Sequence, residues 1–61
     1  MSQKELLYLE DAVNHERIII SFLEEVSSRC EEEDFFLEEI DRHEGIYEDL
    51  MNLLKEKSYE W

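Results

Sequence analysis

The sequence predicts an all-α protein: an antiparallel helical hairpin, with helices at about 3–29 and 34–57, that dimerises into a four-helix bundle. Three observations carry this. The 61 residues contain no proline, one glycine and no alternating β-branched run, so little interrupts helix along the chain. A single continuous helix through "SSRCEEED" would set the apolar stripes before and after it on nearly opposite faces, a phase slip of roughly 150° that a turn near Ser28 to Glu33 removes. Finally, a single core in a chain below roughly 70–80 residues seldom supplies more than about 3–5 kcal/mol, so self-association, a metal or a disulfide is expected. Residues 1–61 then make one helical-hairpin domain.

The first helix has a marked start. Ser2 and Glu5 fit the S-x-x-E capping box, and Met1 and Leu6 stand where a hydrophobic staple would place them. Its apolar stripe centres on Leu9, Ala12, Ile19, Ile20 and Leu23, while Leu6, Leu7, Val13, Ile18, Phe22 and Val26 widen the apolar arc beyond the ordinary amphipathic width of about 100°. One neighbouring helix cannot cover that arc. A homodimer with the first helix innermost can, with Leu6, Val13, Ile18, Ile20 and Phe22 at the dimer interface.

The turn contains neither glycine nor proline. Asp34 is expected to cap the second helix, whose acidic start and basic end, Lys55 and Lys57, suit the helix dipole. Along that helix Phe36, Ile40, His43, Tyr47, Leu50 and Leu54 alternate spacings of four and three residues, the seam of a helix pair.

Two ionisable residues fall inside these stripes, Glu16 in the first helix and His43 in the second. With the turn centred near residues 31 and 32, Glu16 comes level with Tyr47 and Ile20 level with His43, so Glu16, His43 and Tyr47 share one buried polar layer. A carboxylate there needs a partner, and Glu16 is expected to accept a hydrogen bond from Tyr47, His43 or both. Such a layer can fix helix register and dimer orientation.

The same residues raise a metal-binding alternative. Glu16 followed by "EEIDRHEGIY" resembles half of a ferritin-like di-iron bundle, in which one helix supplies a Glu and the next a Glu-x-x-His. The resemblance covers the hairpin pattern, and Ile40 and Tyr47 stand where the motif has Glu and His. It implies a dimer presenting two Glu16 and two His43 side chains to one zinc or iron. The first reading has no metal and no cofactor.

No catalytic constellation accompanies these residues, and an enzyme is not expected. His15 lies beside Tyr8 and Phe22 with no nucleophile spaced to work with it, and Cys30 sits at the turn among carboxylates, which raise rather than lower a thiol pKa. With Cys30 the only cysteine, no disulfide can form within the chain, and no signal peptide is evident, which favours a reducing, cytoplasmic setting. The longest aliphatic run, Ile18 to Ile20, is far short of the roughly 20 residues that cross a bilayer, so no membrane association is expected.

Charge points to the function. Eighteen acidic side chains against six basic ones give a net charge of −12, and the cations are scattered, so direct nucleic-acid binding is not expected. Glu38, Asp41, Glu48, Asp49 and Glu56 lie on the outward side of the second helix, with further carboxylates at Glu31 to Asp34 and on Glu10, Asp11, Glu24 and Glu25. Rows of carboxylates a helical turn apart approximate phosphates and can compete for a basic groove. In size, charge and lack of catalytic equipment the chain is similar to small acidic proteins of phages and mobile elements. The sequence therefore predicts a non-catalytic protein that binds and inhibits or regulates a larger partner, a basic, nucleic-acid-processing protein, through its acidic face. A metal-binding dimer centred on Glu16 and His43 and a structural oligomerisation module are the alternatives. Gly45, amid the outer carboxylates, would permit close approach of a partner, and Tyr59 and Trp61 would cover the dimer or anchor that partner.

Overall fold

A computed structural model describes residues 2–58 as two helices, α1 (Gln3–Ser27) and α2 (Glu33–Ser58), packed side by side. The expected hairpin forms, 46 Å along its longest axis. At the start of α1 the Glu5 N–H donates to Ser2 Oγ at 3.2 Å, and the Ser2 N–H donates back to Glu5 Oε1 at 3.3 Å. The capping box is complete, satisfying two donors that the first helical turn leaves open. Met1, the other half of the expected staple, lies outside the described residues, as do Tyr59 and Trp61.

The turn comes earlier than expected. Ser27 and Ser28 turn their hydroxyls back onto the carbonyls of Glu24 and Glu25, at 2.9 and 2.8 Å, and the Arg29 N–H donates to the Val26 carbonyl. These bonds end α1 at Ser27, two residues short of the predicted end. Helix α2 begins at Glu33, so Asp34 stands inside the first turn, where its charge still suits the helix dipole, and does not cap it. The Phe36 N–H instead donates to the Glu32 carbonyl at 3.2 Å. No residue in the turn takes a positive φ, which explains how the chain reverses without glycine.

Helix contact follows a regular pattern. Along α1, Leu6, Leu9, Val13, Glu16, Ile20, Leu23 and Ser27 are buried or half-buried, spaced alternately three and four residues apart. Facing them, Phe36, Ile40, His43, Tyr47, Leu50 and Leu54 of α2 are buried or half-buried at the predicted spacing. Alternating threes and fours average 3.5 residues per turn, so both seams stay turned toward each other along the pair. In α1 this seam is rotated from the predicted stripe: Ile19 is 37% exposed, whereas Leu6, Leu9 and Val13 are 7–8% exposed. The predicted centre averaged two adjacent stripes, the seam itself and a second row beginning one residue before it. Leu6 and Val13, expected at a dimer interface, are buried in the hairpin's own core with Leu9 and Ile40. Ile20 is half-buried in the seam, and Ile18 and Phe22 are exposed.

The flanks of the seam give the hairpin two unlike broad faces. Residues one position after a seam residue lie together: Arg17, Ser21 and Glu24 of α1 line a shallow groove with Glu44, Glu48, Met51 and Lys55 of α2. Leu7 and Glu10 line another with Ser58. The helical period puts residues one position before the seam on the opposite face, and because α2 runs against α1 both helices contribute them to the same side. That side carries Tyr8, Ala12, Ile19, Phe22 and Val26 from α1 and Phe35, Ile46 and Leu53 from α2. The first face is mainly charged and the second mainly apolar.

Candidate functional site

The outward edge of α2 is the first candidate. Glu38, Asp41, Glu48, Asp49 and Glu56 are all exposed, and from Glu38 to Glu56 they extend over about 27 Å at the helical rise. Among the described residues no cation lies within ion-pair distance of any of the five. Several cations that could neutralise them are engaged elsewhere. Arg29 pairs with Glu25 at 3.2 Å, Arg42 with Glu39 at 3.0 Å, Arg17 donates to Asn14 Oδ1 at 3.3 Å, and Lys4 lies 5.9 Å from the centre of the Tyr8 ring. Each of these partners lies three or four residues away along the chain, the spacing at which side chains of one helical turn meet. Gly45 falls in the middle of this row, and a Cβ added there would meet nothing within 4 Å.

The second candidate is the polar layer, and here the structure changes the register. His43 Nδ1 donates to Glu16 Oε2 at 2.6 Å, so Glu16 is level with His43. Tyr47 is half-buried one turn away and makes no hydrogen bond to Glu16. The cause is the early turn: with α1 ending at Ser27 and α2 starting at Glu33, the midpoint is Cys30, which shifts the pairing by about one helical turn. With side chains 24% and 16% exposed, His43 and Glu16 sit in a partly dry environment where a charge-assisted hydrogen bond is strong. Among the described residues no buried side-chain polar atom lacks a partner.

This pair does not make a metal site within one chain. Zinc takes three or four protein ligands, and no group of three or more His, Cys, Asp or Glu side chains suited to a metal forms among the described residues. The carboxylate and imidazole already satisfy each other. His15 and Cys30 are both exposed, and among the described residues no hydrogen bond joins either to a second reactive group.

What sequence reasoning missed is the α2 part of the apolar face. Phe35 is 56% exposed and meets Phe36 edge-to-face, with ring centroids 5.5 Å apart, while Ile46 and Leu53 remain 37% exposed. The signal was present, since each stands one residue before a seam position: Phe36, Tyr47 and Leu54. No helix among the described residues is long and apolar enough to cross a membrane. Compared with protein-family models, curated proteins and solved structures, the chain finds no match.

Proposed function

We propose that the protein is a small, non-catalytic, dimeric interaction module that binds and inhibits or regulates a larger basic partner, a nucleic-acid-processing protein of the kind phage and mobile-element proteins target. The observation that supports this is the row of five carboxylates on α2 without cation partners among the described residues. In a dimer the formal charge becomes −24, twice −12, and the strongest interaction open to such a surface is with a basic groove. The reading places the protein in the cytoplasm, where nucleic-acid-processing partners work and the Cys30 thiol stays reduced. No cofactor enters it.

A tagged pull-down from nuclease-treated lysate at low and high salt tests this, with captured proteins identified by mass spectrometry. The expected result is one dominant nucleic-acid-binding protein, released by salt and no longer captured when Glu38, Asp41, Glu48 and Asp49 are changed to their amides. Capture that survives those four changes would contradict the acidic-edge reading. Recovery of the bait alone would favour the structural oligomerisation module. The metal-binding alternative would need donors from a second copy, and stoichiometric zinc or iron in chelator-free protein, lost in Glu16→Ala, would establish it.

A further inference from the structure

We infer that the apolar broad face, formed by Tyr8, Ile19 and Phe22 of α1 with Phe35, Ile46 and Leu53 of α2, is where a second copy of this chain docks. The inference rests on the dimeric reading above and deepens it, because it moves the interface away from the first helix alone and onto both helices.

Area supports a second copy as the occupant. These six side chains are 37–62% exposed, with the three aromatics at the upper end. Together they leave roughly 600 Å² uncovered per chain, about three quarters of the about 800 Å² that each partner contributes to an interface of standard size. The chain also needs such cover: among its described residues no large side chain is less than 2% exposed, so the hairpin alone has a core only one layer deep.

Charge supports the same occupant. Two molecules of net charge −12 can meet only where the local field is weak. On the apolar face Arg42 is already paired with Glu39 at 3.0 Å and Glu5 is held in the helix cap by Ser2, while Asp49, His15 and, over the Tyr8 ring, Lys4 are its other acidic and basic groups. The opposite face carries Glu10, Glu24, Asp41, Glu44 and Glu48 against Arg17 and Lys55, and copies meeting there would repel. Geometry agrees, because a layer of two antiparallel helices matches another such layer, and two of them enclose the core of a four-helix bundle. Asp49 borders the docking face, while Glu38, Asp41, Glu48 and Glu56 stay off it in this arrangement, so one dimer still presents two acidic edges to partners.

Sedimentation velocity of the full chain across a concentration series tests the inference. The native protein should sediment as a dimer, and Phe22→Glu and Ile46→Glu should each weaken association at least about tenfold, since each places a carboxylate in an apolar interface. Leu37→Glu, on the opposite face, should leave it unchanged. Because loss of the dimer can unfold so short a chain, a milder probe accompanies it: in a Cys30→Ser background, Ile46→Cys should react with a thiol reagent more slowly as protein concentration rises, and Leu37→Cys should not. A native protein that is monomeric throughout would overturn both this inference and the dimeric reading. A dimer that protects position 37 and leaves position 46 reactive would overturn the face assignment alone.

Discussion

The two broad faces of the hairpin come from the same two helices and differ only in which side of the seam their residues flank. Residues following the seam include Glu10, Arg17, Glu24, Glu44, Glu48 and Lys55, whereas those preceding it include Ile19, Phe22, Phe35 and Ile46. Neither helix is unusual by itself. Sidedness arises when antiparallel pairing brings both preceding rows to one side, so a chain with almost no interior of its own still acquires one surface suited to burial and another suited to water. The seam between them sets how firmly the faces are held apart.

The largest way to break this comparison is to loosen the seam. Ile40→Ala removes a side chain only 7% exposed and should cost about 2–4 kcal/mol, read as a lower urea midpoint by circular dichroism. Ile18→Ala, at a position 61% exposed on the outer edge of α1, should stay within about 0.5 kcal/mol. Similar losses at the two sites would contradict the seam described here.

Next comes the polar layer that sets the register. Glu16→Ala leaves His43 without its acceptor and should cost about 1–3 kcal/mol. Replacing both Glu16 and His43 by leucine should restore or exceed native stability and yield mixed oligomers, because apolar contact gains energy while register loses its marker. A double variant that stays a single well-defined dimer would remove the register role from this pair.

Smaller effects sharpen the contrast at the outer edge and at the cap. Gly45→Ala meets no steric obstacle and should stabilise the protein by up to about 1 kcal/mol. If it also abolishes partner capture, Gly45 is a point of close approach; unchanged capture makes the glycine incidental to binding. At the start of α1, hydrogen bonds from the Ser2 hydroxyl and backbone N–H hold the Glu5 carboxyl below the usual carboxylate range. A depressed carboxylate pKa contributes stability above the ordinary Glu range that is lost as pH falls through the lowered value. In Ser2→Ala the Glu5 titration, followed by NMR, should move back up and the first turn should fray.

Much of the fold was legible because its signals are local. The Ser2–Glu5 box and the spacing from Phe36 to Leu54 fix where α1 begins and which side of α2 turns inward. The register was not legible to better than one turn. It depends on where α1 stops, and the serines that end it at Ser27 compete with helix continuation by margins that no periodicity records. That small difference moved Glu16 from Tyr47 to His43. The burial of Leu6 and Val13 in the hairpin's own seam was not legible for a different reason: they belong to a row adjacent to the uncovered one, and only α2, once in place, decides which row it covers. The acidic row needed no tertiary information, since outward positions on a helix follow from the period alone.

The most direct test of the two-faced account is the salt dependence of self-association. Measured by sedimentation equilibrium at about 50 mM and about 500 mM salt, a dimer joined through an apolar, nearly neutral face should tighten at high salt, because screening relieves repulsion between two chains of charge −12. A dimer that weakens as salt rises would show that charged contacts hold it together, and would contradict the assignment of burial to one face and charge to the other.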